Sequence, residues 1–413
     1  MKGLAVLLPT LQGQADTYTW VIGWMIVIME VTADLTGPIA SPLERRFGIR
    51  ACLMVSGVMI TVAFIVSAAS SSVLVMAVVL AALAGPGIGL SHVLSRELIG
   101  RCFQSGGTST AFSISQTGTP AAYIAIPWLS QLFLDTYGYR GTLLLLGAIF
   151  FHLTACGALL RFPSDNDATV TKEGRDYISL VSGAEEGTQS STDSNASRRS
   201  SDQENRAKTS ALRSFWQNLH TELFYDVTYW LLAIIYIIIQ FVYTAWLVYY
   251  VPHTQAKGFS LSDVTIFTAI SGLTRILTGL SLGPLLDKIK IIGNKGFMGI
   301  TLILLALYYL IDPWLTSFWS TAVNQGVYGF AIGLAWLLAD VLLCEAIAVD
   351  RLGSAFGWIS MKSGILRFSL LYLPGLIYDL TRSYTLTFML LGGAHLIGFA
   401  VLLLLVWLQR RKQ

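Results

Sequence analysis

Ionisable side chains are scarce in this 413-residue chain, and several stand in the middle of apolar runs. Arg275 lies within ISGLTRILTGLSLG and Arg367 within SGILRFSLLYLPG, with Lys362 five residues before it. Glu30 and Asp34 share the apolar stretch 20–42 and are four residues apart, hence on one face of a helix. Asp340 falls inside 319–348, and His92 inside 73–98, with Arg96 and Glu97 a turn further on. A charge deep in an apolar span is costly to keep and so marks a functional candidate. A guanidinium fork fits a carboxylate bidentately, which suits Arg275 and Arg367 to gripping an organic anion or an acid across a cleft. Glu30, Asp34, Lys362 and His92 suit gating or proton coupling, which requires a carboxyl that exchanges its proton near neutral pH. Plainer readings stand beside these: a structural cation paired with backbone carbonyls or a neighbouring acid for Arg275, and an interhelical hydrogen bond for His92.

Other chemistries find no support. The sequence has no HExxH, no phosphate-binding glycine loop, no nucleophile–histidine–acid set and no clustered metal ligands, so an enzyme, a metal centre or a cofactor is not expected. Cys52, Cys102, Cys156 and Cys344 lie in or beside apolar runs at no metal or disulfide spacing and read as small core residues. A net charge of +3 is too small to suggest nucleic acid.

The elements that position these residues follow from composition. Hydrophobic residues make up 54% of the chain and charged residues 12%, about half the charge of an ordinary soluble protein. Apolar runs of roughly 20 residues recur, each able to cross a hydrocarbon core about 30 Å thick. Uninterrupted runs of that length mean helices rather than barrel strands, because a helix satisfies its own backbone hydrogen bonds in lipid. The runs at 20–42, 51–70, 73–98, 110–134, 141–160, 224–251, 261–286, 296–311, 319–348, 354–380 and 385–408 are eleven full spans, numbered 2 to 12 for a reason given below. Arg275 then lies roughly 20 Å along its span, near the bilayer midplane.

Basic residues set an expected orientation. Arg45, Arg46, Arg50, Arg101, Lys288, Lys290, Lys295, Arg351, Arg410, Arg411 and Lys412 gather on one side, and Arg140, Lys257 and Arg382 on the other. The first side reads as cytoplasmic, with the C-terminal tail, 409–413, inside. The stretch 162–223 is rich in Ser, Thr, Asp, Glu and Asn and reads as a disordered cytoplasmic linker between bundles at 1–161 and 224–408.

The two bundles repeat one another. GPIASPLERRFGIR closes span 2 and GPLLDKIKIIGNK closes span 8, each with Gly-Pro, a basic stretch and a later glycine. LDTYGYRGTLLLLGA after span 5 answers YDLTRSYTLTFMLLGG after span 11, and Gly89-Leu90 in span 4 answers Gly333-Leu334 in span 10. Matched halves of this kind build transporters whose site lies between the repeats near the midplane.

Taken in order, KGLAVLLP, TWVIGWM, GPIASPLERRFGIR, YGYRG, VPHTQAKGFS, DRLGSAFG and PGLIYD resemble landmarks of the monocarboxylate transporter family of the major facilitator superfamily. The resemblance implies an all-α polytopic membrane protein of two pseudo-symmetric helical bundles, with only a remnant of helix 1 and so an N-terminally truncated member. It implies secondary or facilitative transport of a small monocarboxylate or related organic anion or zwitterion at the plasma membrane, by alternating access, with a proton as the expected coupling ion in some members. The partners it implies are the lipid bilayer and, for some relatives, a single-pass ancillary glycoprotein. Lys2 falls where proton-linked members carry a functional lysine. Those members place an Asp and, one turn later, an Arg in helix 8, where this chain has Arg275 and Gly279, a departure that counts against lactate-type proton symport. The family's fold lines its cavity with helix 10, which adds Asp340 to the substrate candidates, and packs helix 2 on helix 11. Glu30 or Asp34 is therefore expected to pair with Lys362 or Arg367. The alternative is a non-transporting membrane regulator or partner protein derived from a transporter.

Overall fold

The computed structural model describes residues 19–70, 72–104, 106–160, 219–288 and 293–412, and these form helices and turns. Lys2 and most of the polar stretch after 160 lie outside the described residues. Among those described, eight helical segments are long and apolar enough to cross a membrane. One of them, α6 (Thr108–Leu159), is 52 residues long, far more than a single crossing needs. Gly138 (φ 67°, ψ −176°) interrupts it with a backbone conformation essentially reserved for glycine. The segment is thus two spans joined at a corner, as the separate runs 110–134 and 141–160 predict.

Spans 2 and 11 each arrive as two helices. α1 (Thr19–Leu35) and α2 (Gly37–Phe47) meet at Thr36, and α11 (Leu352–Leu370) and α12 (Leu373–Thr381) meet at Leu371–Tyr372. Pro38 and Pro374 sit in the first turn of the second helix in each case, where a missing N–H costs no hydrogen bond. α3 (Ile49–Ala69) follows α2. Span 4 comprises α4 (Val73–Val79), a π-helical turn (Leu80–Ala84) and α5 (Gly85–Cys102). In the second half run α7 (Val227–Ala256), α8 (Leu261–Lys288), α9 (Gly293–Ile311), α10 (Phe318–Ala346) and α13 (Thr385–Lys412).

Burial separates central from peripheral helices. The most apolar stretch of α10 is 83% buried, against 33% in α13, so α10 runs through the middle of its half. Large apolar side chains such as Leu74, Val78, Leu277, Leu280, Ile397 and Leu403 are exposed on outer faces, the pattern of helices whose solvent is hydrocarbon.

The internal repeat is physical. Gly37 meets the backbone of Gly357 in α11, and Gly283 meets Ser113 and Ser109 in α6, each too closely for a Cβ. The first glycine of each Gly-Pro motif is therefore where one half touches the other. Gly89 packs on Ala33 of α1, while Gly333 packs on Arg275 and Thr278 of α8, so the paired glycines of spans 4 and 10 make matching contacts within their halves.

The end of the molecule carrying Arg45, Arg101 and Lys288, the basic face, is bridged by polar contacts, beside a cavity of about 850 Å³ lined by Gly100, Ser109, Asp287, Cys344 and Glu345. Arg101 donates to both carboxylate oxygens of Glu44, at 2.9 and 3.3 Å, and bonds to Glu97. The Glu97 carboxylate lies against Gly353 at the start of α11. Arg45 donates to the backbone carbonyl of Asp350. Across the other seam, Asp287 at the end of α8 accepts from the Ser109 and Thr110 amides at 3.2 and 3.0 Å and from Thr110 Oγ1 at 2.6 Å, capping α6. At the opposite face, buried Asp312 collects His253 Nε2 at 2.8 Å, Asn324 Nδ2 at 3.1 Å and Lys257 Nζ at 3.4 Å, pinning α7 to α9 and α10.

Of the stretch 162–223 expected as a linker, residues 219–223 are among those described. Leu219 and Leu223 are buried and Thr221–Tyr225 forms a 3-10 turn. The polar bias that suggests disorder up to 223 does not register these two apolar anchors.

Candidate functional site

Two cavities flank α7 in the half of the molecule away from the basic face. The first, about 360 Å³, is lined by Pro120 and Tyr123 of α6, Tyr243 and Trp246 of α7, Ser271 and Arg275 of α8 and Tyr328 of α10. Arg275 is buried, with 7% of its surface exposed. Its Nη1 donates to Tyr243 Oη at 2.9 Å and its guanidinium stands 5.2 Å from that ring's centre. No ion pair to Arg275 forms among the described residues. The wall behind it is aromatic: Trp246 stacks on Tyr250 at 4.9 Å and lies 4.5 Å from Tyr328, and Tyr243 meets Trp336 edge-on. A cavity of this size, mostly apolar with one fixed cation, has the composition of a small-molecule site.

The second cavity, about 690 Å³, lies between α1, α7 and α11 and is lined by Glu30, Asp34, Thr244, Tyr249, Arg367 and Tyr372 among others. Arg367 forms an ion pair with Asp34, both side chains mostly buried, and its Nη1 lies 3.5 Å from Thr244 Oγ1. Gly364 leaves room for the Asp34 carboxylate, since a Cβ there would fall on it. The pair sits beside the breaks in both of its spans: Asp34 is two residues before Thr36, and Tyr249 Oη holds the Leu371 carbonyl of the second break at 3.1 Å. Thus Asp34, not Glu30, takes the arginine, while Glu30 lines the same cavity one helical turn away.

Among the described residues Lys362 pairs with no acid, where the alternative expectation had it meet Glu30 or Asp34. Its ammonium is held by three rings, 3.7 Å from the Trp230 centroid and 4.6 Å from those of Phe224 and Tyr229, with Tyr229 Oη at 3.4 Å. An aromatic cage satisfies a cation through ring quadrupoles and leaves the carboxylates to Arg367.

Asp340 is fully buried and its partners are protein groups: Gln116 Nε2 at 2.7 Å, Tyr236 Oη at 3.2 Å and Arg96 Nε at 3.8 Å. With three protein partners the carboxylate has little capacity left for a solute in this conformer. It is instead a junction, since Arg96 and Gln116 belong to the first half and Tyr236 and Asp340 to the second. Arg96 also lies 5.6 to 5.9 Å from the rings of Tyr236, Trp336 and Phe356. Sequence reading placed Arg96 beside His92 but chose the histidine. His92 itself is exposed on α5. The signal available was that an arginine cannot shed its charge and so must find a carboxylate, whereas histidine can stay neutral.

On the basic face, residues 219–225 reach across the 2/11 seam. His220 Nε2 lies 2.6 Å from Arg45 Nη2. Burial, and then the neighbouring Arg45 charge, hold the ring below the usual histidine range, which keeps Nε2 free to accept from the guanidinium.

The chain matches the family profile of the Major Facilitator Superfamily over residues 1–307. It is 35% identical to human monocarboxylate transporter 11 over 160 residues, 39% of this chain and 34% of that protein, so this stretch spans about a third of the relative. It is 24% identical to mouse monocarboxylate transporter 12 over 382 residues, 92% of this chain and 76% of that protein. Its fold is similar to that of the human organic anion transporter MFSD10, with a TM-score of 0.66 at 16% identity over 97% of this chain and 95% of the other. It is likewise similar to the proton:xylose symporter XylE, with a TM-score of 0.67 at 14% identity over 97% and 90% of the two chains. A repeat whose glycines meet across the seam, cavities between the halves and a profile match over most of its length agree: the chain belongs to the Major Facilitator Superfamily.

Proposed function

We propose that the chain moves a small carboxylate-bearing solute, an organic anion or zwitterion, across a membrane by alternating access of its two halves. The observation that carries this reading is Arg275: a buried guanidinium on the wall of an aromatic-lined cavity of about 360 Å³, with no carboxylate of the described residues paired to it. Such a group is expensive to bury unpaired, and an arriving carboxylate would offset that cost while the rings of Tyr123, Tyr243, Trp246 and Tyr328 take its apolar body. Asp34 and Arg367 form the gate in this reading, closed across spans 2 and 11 in the present conformer and parted in the other. Glu30, one turn away in the same cavity, is the candidate for proton coupling. The basic face is the cytoplasmic one, and the plasma membrane is the proposed location. The names of the monocarboxylate transporters support the solute class.

The test is a radiolabelled uptake panel of small carboxylates, measured in vesicles at two pH values. Losing a charged hydrogen bond costs about 1.5–3 kcal/mol, so Arg275→Ala should weaken uptake of the transported member about 10- to 100-fold in apparent affinity. Uptake with wild-type affinity in Arg275→Ala would remove the anchor, and no uptake of any carboxylate by the wild type would remove the solute class.

A further inference from the structure

The seven residues 219–225, which precede α7, do more than connect. Leu219 and Leu223 are buried. Trp358 of α11 donates from Nε1 to the Leu219 carbonyl at 2.9 Å, and its ring meets Phe224 edge-on at 4.9 Å. Trp230 of α7 donates from Nε1 to the Phe224 carbonyl at 2.8 Å. Lys362, one helical turn beyond Trp358 on α11, puts its ammonium into the cage of Phe224, Tyr229 and Trp230. Glu222 lies 3.4 Å from Arg351 just before α11, an exposed pair that contributes little. On the far side of the seam His220 takes Arg45 of α2, which also holds the Asp350 carbonyl. The same short segment therefore grips α11 through two successive turns and touches the first half through Arg45.

We propose that residues 219–225 are a strap that biases the basic face toward its closed state, with Lys362 as the fastener. The physical basis is differential contact. The Lys362 and Trp358 contacts stay within the second half and seat the strap on α11, while opening the 2/11 seam at this face separates Arg45 from Asp350 and His220. A ligand or contact shifts a conformational equilibrium only by what it gains in one state over the other, and these contacts belong to the closed arrangement. Lys362 suits the role because its cage is made by the strap (Phe224) and α7 (Tyr229, Trp230) together, so the cation binds both to α11 at once. The inference rests on the alternating-access reading but concerns the conformational bias, not the solute.

The experiment measures the seam directly in the full chain. Spin labels go on cysteines at exposed Arg46 of α2 in the first half and exposed Ala348 just before α11 in the second, with Cys102, Cys156 and Cys344 replaced by Ser and buried Cys52 left in place. The parent is expected to give a dominant short-distance population. Lys362→Ala and Trp230→Ala should each raise the ratio of long- to short-distance populations about tenfold, equivalent to about 1.4 kcal/mol. Lys362→Arg, which keeps a cation for the cage, should stay near the parent, and Trp358→Phe, which loses only the N–H, should fall between. Misfolding would appear instead as a lost thermal transition with a broad, featureless distance distribution, and Lys362→Arg and Trp358→Phe then carry the test. An unchanged ratio in folded Lys362→Ala and Trp230→Ala, or a ratio in Lys362→Arg as high as in Lys362→Ala, overturns the strap. A protein that transports no carboxylate but shows the expected ratios would lose the proposed solute and keep the strap.

Discussion

The choice of Asp34 over Glu30 as the partner of Arg367 is a matter of position along α1. Asp34 lies close to the break at Thr36 and opposite Gly364, which leaves room for its carboxylate. Removing either member strands the other charge in a poorly solvated cleft, at a cost of several kcal/mol. Asp34→Arg or Arg367→Asp alone is therefore expected to reduce uptake to near background. The double exchange should recover a measurable part of it, because the opposite charges are restored in place. Equal loss in the double variant would mean that the identity of each residue matters and not the pair. Sequence reading went far at this scale, and its limit was specific. Four-residue spacing put Glu30 and Asp34 on one face and depth singled out Arg367, but nothing in the spacing says which acid faces a glycine. Lys362 was harder still. Its cage draws on Phe224, just before α7, and on Tyr229 and Trp230 at its start, aromatic residues that in sequence look like ordinary residues at a membrane interface. Asp340 read as open to a solute because one sequence cannot show that Gln116 and Tyr236, more than a hundred residues away on either route, close over it.

At the scale of elements, what hydropathy leaves unresolved are the interruptions. Spans 2 and 11 read as continuous apolar runs, yet each is two helices whose junction sits beside the buried ion pair. Pro38 and Pro374 were visible, but a proline in a first helical turn and one inside a kinked helix look alike in sequence. The π-helical turn Leu80–Ala84, just before Gly85-Pro86-Gly87, left no signature beyond the glycines. The corner at Gly138 was legible, because YGYRG falls between two apolar runs. Its cost can be stated cleanly: a Cβ at Gly138 would meet nothing within 4 Å, so a substitution there is penalised by the backbone alone. Gly138→Ala should destabilise the protein by about 1–3 kcal/mol, seen as a lower midpoint of thermal unfolding in detergent. An unaltered midpoint would show that the corner relaxes to a conformation alanine accepts.

For the molecule as a whole, the repeat predicts a symmetry of mechanism that sequence identity between the halves is too faint to prove. Gly37 closes the 2/11 seam against Gly357, and Gly283 closes the 5/8 seam against Ser113 and Ser109. Each lies at the basic face in the first glycine of a Gly-Pro motif, and each has a polar clamp nearby, Arg45 on Asp350 in one seam and Asp287 on Thr110 in the other. The two cavities flanking α7 lie toward the opposite face, away from the clamps, while a third of about 850 Å³ adjoins Ser109 and Asp287 at the basic face. If the two seams open together, as a rigid rocking of halves requires, a methyl group wedged into either one should favour the same alternative state. Gly37→Ala and Gly283→Ala are then expected to lengthen alike the distance between spin labels on Cys102 and on a cysteine at Lys288, which straddle the 5/8 seam, although only the second substitution lies there. Gly118→Ala, where a Cβ meets nothing within 4 Å, should leave the distance as in the parent. A lengthening confined to Gly283→Ala would mean that the seams yield independently, and that the matched motifs preserve a shape without coupling the two sides of the molecule.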